Sequence, residues 1–189
     1  MSDSSSTDNT SFLTNAPPAS PLVGRASAQK PLLFDISHVD LNTVLLNREQ
    51  IGKMNPHRDK LALLETIAYF TPDFKQGVAT WNVRDDEFWC AGHFPGNPML
   101  PGVLQIEAGA QLGVWLYNSR WPKPHLCVFT RIVSATFRGQ VKPGDQFVIL
   151  AEEIKVYARK FESKIQGVVR GKVVFEAEIS GISMGELPG

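Results

Sequence analysis

From Val103 to Tyr117 the chain reads VLQIEAGAQLGVWLY, a proline-free, alanine-containing run whose length suits a helix rather than a strand. Apolar residues fall on nearly every side of that helix: Val103, Leu104, Ile106, Ala108, Ala110, Leu112, Val114, Trp115 and Leu116. A helix with no wet face is stable only when other elements enclose it. The run therefore demands a fold built around a central helix, and the rest of the chain must wrap it.

The wrapping material is strand-like. LCVFTRIVSATFRGQV (126–141), DQFVILAEEIKVYARK, FESKIQGVVRG and KVVFEAEISGISM follow the helix, separated by VKPGD and by breaks near Lys160 and Gly171. FVILAEEIKVYA and KVVFEAEISG alternate apolar and polar residues, as in a sheet with one packed face. This half predicts an antiparallel meander. Upstream, LALLETIAYF (61–70) reads as a strand buried on much of both faces, VATWNV (78–83) as a second, and 35–54 as holding one short helix. One buried helix among antiparallel strands is an α+β architecture.

A chain of 189 residues is most simply one domain, expected over 31–189. Residues 1–30 are rich in Ser, Thr, Pro and Asn and have little to bury, so they predict a disordered tail. That tail lacks the basic start and apolar core of a secretory signal, and no segment is apolar for long enough to span a bilayer. Formal net charge is zero, which gives no general attraction to nucleic acid. Two cysteines, Cys90 and Cys127, suit a reducing compartment, so the expected location is the cytoplasm.

Chemistry concentrates just before and within the helix, in GHFPGNPMLPGVLQIEAGAQLG (92–113). Prolines at 95, 98 and 101 stiffen the loop that follows His93, so its imidazole is held at low entropic cost. Gly102 opens the helix, where backbone N–H groups lack intrahelical partners and the helix dipole is positive. Glu107 is a lone acid in an apolar helix, where desolvation is expected to raise its pKa and make it a general acid. Taken singly these features are ordinary: a loop histidine is most often solvated, and a helix carboxyl is most often a partnered core group. Their order within one window is what carries information.

G-H-F-P-G-x-P-x-x-P-G-V followed by E-A-x-A-Q resembles the active-site signature of the β-hydroxyacyl-acyl carrier protein dehydratases, in the branch with glutamate on the helix. NPHR (55–58) and FRGQVKPGD (137–145) extend the likeness over roughly residues 50–184. The resemblance implies a hotdog fold, a long central helix wrapped by a curved antiparallel sheet. It implies a homodimer joined edge to edge, open to assembly as a trimer of dimers, with His93 of one copy facing Glu107 of the other. His93 is then the base at C2, Glu107 the acid at the C3 hydroxyl, directly or through a water, and Gly102 N–H the oxyanion donor. The substrate is an acyl carrier protein thioester, and no metal or organic cofactor is needed. Phe94, Pro101, Val103 and Gln111 are expected to bind substrate or support the acid, and Phe88, Trp89, Phe94, Met99 and Leu104 to line an apolar tunnel. Arg131, Arg138, Lys142, Arg159 and Lys160 are the cations available to meet an acidic carrier protein.

Other readings stay open at this point. An isomerising dehydratase carries aspartate at the helix position, a thioesterase lacks the H-F-P-G motif, and a non-catalytic acyl-binding protein would keep only the fold. Cys90, His93, His125 and Cys127 sketch a zinc site with poor strand geometry. His57 and Arg58 read as structural, the arginine bonding carbonyls at a loop-to-strand junction. Gly109 costs roughly 1 kcal/mol of helix propensity and would let another helix or an acyl chain approach closely.

Overall fold

A computed structural model describes residues 30–187. The central helix is there: α2, Gly102–Asn118, follows the short helix α1, Arg48–Ile51, and is buried along almost its whole length. Its first turn departs from the expectation, since Val103 is 72% exposed. Seven strands wrap it: β1 Leu46–Asn47, β2 Thr66–Phe70, β3 Gln76–Asn82, β4 His125–Phe137, β5 Gln146–Tyr157, β6 Lys160–Val169 and β7 Lys172–Glu186. All pair antiparallel in one sheet of order β1-β2-β3-β5-β6-β7-β4.

Two expectations need correction. LALLETIAYF is a strand only from Thr66; Leu61 closes a 3-10 turn, Asp59–Leu61, and Leu63 and Leu64 are buried outside any ladder. The backbone there is satisfied by a side chain instead, because Gln111 Oε1 accepts from Leu63 N–H and Gln111 Nε2 donates to Leu61 C=O. The meander holds for β5, β6 and β7, but β4 crosses over to pair with β7 and leaves β5 to pair with β3.

The core lies between α2 and the concave side of the sheet, with Trp81, Leu112, Leu116, Ile149, Ile165 and Phe175 almost fully buried. Gly109 explains the close helix–sheet approach. A Cβ at that position would stand 2.5 Å from Ile165 Cδ1, so the neighbour that needs the glycine is strand β6, not the second helix or acyl chain expected. Asn118 ties the helix end down, donating to Met54 C=O and His125 C=O and accepting from His125 N–H. On the convex side, Leu32, Leu33, Phe34, Ile36 and Leu41 cover Val78, Val148, Leu150, Val168 and Val173. Leu33 N–H donates to Gln166 Oε1, which fixes that segment to β6. The tail expected over 1–30 lies outside the described residues except for Lys30.

Strand β4 is different from the others. Among the described residues it sits at the sheet edge, pairs only with β7, and is exposed over most of its length. Leu126, Val128, Phe129, Ile132, Val133 and Phe137 are all exposed large apolar side chains on it.

Candidate active site

The His93 loop is a pinched turn. Phe94 N–H donates to Asn97 C=O and Asn97 N–H returns the bond to Phe94 C=O, while Met99 N–H donates to His93 C=O. The ring is fixed from two sides: Phe94 stacks on it at 4.1 Å between centroids, and Nδ1 lies 2.8 Å from Met99 C=O. A carbonyl only accepts, so Nδ1 carries the hydrogen and Nε2 keeps a free lone pair in the neutral ring. Leu100 N–H then donates to Val141 C=O, which hangs the loop on the segment just after β4.

Pro101 caps α2 without a side-chain bond, and Gly102 begins it. Leu104 N–H and Gln105 N–H donate back to Pro101 C=O, while the Gly102 and Val103 N–H groups precede the first intrahelical bond and lie at the positive end of the helix. Gly102 also has a packing reason to be glycine, since a Cβ there would meet the Phe137 ring at 2.9 Å.

Glu107 stands a little over one turn along α2, its side chain 27% exposed. Gln111 Nε2 donates to Glu107 Oε1 at 2.8 Å, and His57 Nε2 lies 3.2 Å from the same oxygen. Burial pushes the carboxyl up, but the hydrogen bonds from His57 and Gln111 outweigh it. Glu107 is therefore held below the ordinary carboxyl value within this chain, the reverse of the rise expected from an apolar helix. The correction has one cause: the sequence shows the apolar surroundings but not the two donors.

Arg58 behaves as expected, donating from Nη1 to Asn55 C=O and His57 C=O. His57 does not. The turn that Arg58 holds aims the imidazole at Glu107, a site contact that no spacing rule links to a residue so far along the chain. The anchor of that turn, Asn55 Nδ2 donating to Gln111 C=O, is equally invisible in the sequence.

A small cleft of about 40 Å³ runs from Glu107 past Val114 to Cys127, Val128, Phe129 and Phe161. None of the expected tunnel residues lines it: Trp89 and Leu104 pack with the core, Met99 is half-buried, and Phe88 and Phe94 are exposed. Within one chain no hydrogen bond or ion pair joins His93 to Glu107. The sketched zinc ligands have other partners: His125 Nδ1 pairs with Ser183 Oγ, and Cys90 Sγ donates to Arg84 C=O. Burial pushes the Cys127 thiol up to about 12, so it stays protonated. Among the described residues no cluster of three or more His, Cys, Asp or Glu could hold a metal ion.

The FabA-like domain model matches residues 55–179, which contain the His93 loop, Gly102, Glu107 and His57. The chain belongs to the FabA-like family of β-hydroxyacyl-acyl carrier protein dehydratases. Among its relatives is the 3-hydroxyacyl-acyl-carrier-protein dehydratase FabZ of Chlamydia trachomatis serovar L2, 38% identical over 141 residues, 72% of this chain and 91% of the relative. The serovar D protein is similar to the same extent. Solved structures share the fold: the dehydratase heterocomplex ApeI:P from Xenorhabdus doucetiae has a TM-score of 0.62 at 14% identity, covering 70% of this chain and 90% of that one. A hypothetical thioesterase with coenzyme A from Streptococcus pneumoniae TIGR4 has a TM-score of 0.51 at 15% identity, covering 65% of this chain and 87% of that one. These establish the α+β hotdog fold. Among the described residues no helix is long and apolar enough to cross a membrane.

Proposed function

We propose that this chain dehydrates 3-hydroxyacyl-acyl carrier protein thioesters to trans-2-enoyl thioesters in fatty acid or related lipid synthesis, as a homodimer. The observation that carries the reading is the His93 tautomer: Nδ1–H spent on Met99 C=O and Nε2 left as a free base inside the family's signature loop. His93 removes the C2 proton, and charge developing on the thioester oxygen is met by Gly102 N–H and the helix dipole. The C3 hydroxyl leaves as water with a proton from Glu107, directly or through a water. The proton on His93 is then returned to Glu107 before the next turnover. The mechanism uses no metal or cofactor.

Base and acid meet between two copies. Glu107 lies beside the start of β4, at Cys127, Val128 and Phe129. The His93 loop hangs near the end of β4, through Leu100 on Val141 and Gly102 against Phe137. A twofold antiparallel pairing of two β4 edges sets the start of one strand opposite the end of the other, so His93 of one copy faces Glu107 of the second. The same pairing covers the exposed apolar residues and unpaired backbone of β4. Covering the rest of Glu107 adds desolvation, which shifts its carboxyl toward the protonated form.

Phe94, Pro101 and Val103 stand around the helix mouth to meet the thioester arm, and Gln111 holds Glu107. The partner is an acidic carrier protein, and Arg131 and Arg159 are the cations proposed to meet it, since Arg138 pairs with Glu176, Lys160 with Glu162, and Lys142 bonds Asn97. The catalytic unit is a single hotdog domain from residue 31 onward, of the glutamate branch, and works in the cytoplasm with Cys90 and Cys127 reduced. The test is to supply 3-hydroxyacyl carrier-protein thioesters of graded length and follow the conjugated enoyl thioester by absorbance. Enoyl product that vanishes in His93→Ala and Glu107→Gln supports the reading. Thiol release or a 3-enoyl product would instead assign a thioesterase or an isomerising enzyme, and no product at any length would refute turnover.

A further inference from the structure

Gln111 has no freedom left. Its side-chain oxygen accepts from Leu63 N–H at 3.0 Å, and its amino group donates to Leu61 C=O at 2.7 Å and to Glu107 Oε1 at 2.8 Å. The amide is only 2% exposed, and reversing it would leave all three partners mismatched. Glu107 Oε1 therefore always meets an N–H from Gln111. His57 Nε2 approaches the same oxygen, not the other one, at 3.2 Å. Among the described residues Oε2 receives no hydrogen bond.

The hydrogen-bonding role of His57 follows from its surroundings. Its Nδ1 is buried without a hydrogen-bond partner. An imidazolium would leave a buried N–H donor unpaired beside the ring, whereas the neutral Nε2–H tautomer leaves only an acceptor lone pair. His57 thus presents Nε2–H to Glu107, whereas His93 commits Nδ1–H to Met99 C=O.

We propose that His57 is a positioning residue for Glu107: by donating to Oε1 beside Gln111 it confines the transferable proton to Oε2, the oxygen open to substrate. This rests on the acid role proposed for Glu107. An oxygen that accepts two N–H bonds serves as the carbonyl oxygen of the acid form, so the hydroxyl proton resides on the second oxygen. One donor leaves the carboxyl free to rotate about its last torsion, whereas two donors from different elements, α2 and the 52–58 loop, fix its plane. A misplacement of about 1 Å at such a group lowers turnover on the order of 10²-fold.

Three variants of the full chain test this: His57→Phe keeps the ring volume without a donor, His57→Asn carries an amide too short to reach, and His57→Gln restores an N–H near the Nε2 position. The readouts are kcat and KM for the dehydration, and the titration of Glu107 followed by carboxyl 13C chemical shift, which needs no turnover. The groups facing Glu107 are His57, Gln111 and Cys127, with His93 of the second copy in the dimer, and Cys127 stays a thiol throughout. His57→Phe is expected to lower kcat about 10- to 100-fold with KM little changed, and to raise the Glu107 titration midpoint, with His57→Gln recovering both. If His57→Phe does not fold, His57→Asn takes its place with the same expectation. Native kcat in the donor-free variant, an unmoved Glu107 midpoint, or no recovery in His57→Gln would each overturn the assignment. Glu107→Gln run alongside separates the two claims: if it remains active, the acid role itself fails, whatever His57 does.

Discussion

Replacing Glu153 by Gln should shift stability in the variant's favour by an amount that grows with pH. Glu153 lies on β5 against α2, 2% exposed, with Ser163 Oγ donating to its Oε1 at 2.7 Å and Oε2 left without a partner. Burial pushes its carboxyl from 4.5 up to about 8, against weaker opposing pulls from the Ser163 bond and Arg120. The folded protein therefore binds a proton here that the unfolded chain releases above about pH 4.5. This lowers stability progressively between pH 4.5 and 8, with no effect below and no further loss above. At pH 7 the gap is about 2.5 pH units, or ~3 kcal/mol at ~1.4 kcal/mol per unit. Gln keeps the acceptor for Ser163 and cannot ionise. Urea unfolding of both proteins at one protein concentration should show the variant-minus-native difference moving in favour of Glu153→Gln by about 3 kcal/mol from pH 4.5 to pH 7, and further by pH 8.5, on top of a constant offset from the amide NH2 that replaces the unpartnered Oε2. A variant-minus-native difference that stays constant across that range would show that Glu153 does not titrate there, and the reasoning would fail.

Gly109→Ala should lower stability by roughly 1–3 kcal/mol in chemical denaturation despite its gain in helix propensity, because the new Cβ meets Ile165; an unchanged midpoint would contradict that packing. Ile132→Lys, in the middle of the exposed β4 edge, should give a monomer by sedimentation and reduce dehydration at least about 10-fold, since base and acid no longer share a site. Glu107 is held below its ordinary value, so its bonds to His57 and Gln111 stabilise the fold above the ordinary carboxyl range and are lost as acid protonates it. Glu107→Gln should accordingly lower stability more at pH 7 than at pH 3.5, and an equal difference at both would count against an ionised Glu107.

The helix and the His93 loop were legible because each is local. Apolar residues at every phase of 103–117 leave no alternative to enclosure, and three prolines after His93 announce a rigid loop wherever it packs. Sheet order was not local. Val128, Phe129, Ile132 and Val133 on β4 look like core residues in the sequence, yet all are exposed in one chain, as expected if their cover comes from a second copy. LALLE misled for a related reason: Leu63 and Leu64 are buried, but Leu61 is exposed and Gln111 rather than a neighbouring strand satisfies the backbone there. Glu107 shows the same limit in its chemistry. Its apolar neighbours on the helix argue for a raised pKa, and only the folded chain brings His57 close enough to reverse the sign.

Whether base and acid come from different copies is read out by mixing two inactive variants. In a heterodimer of His93→Ala and Glu107→Gln subunits, one site receives both substitutions and the other receives neither. Equal mixing through co-expression or exchange should therefore restore about one quarter of native activity, because half the dimers are mixed and each has one intact site. If heterodimers form and no activity returns, His93 and Glu107 do not meet across two copies.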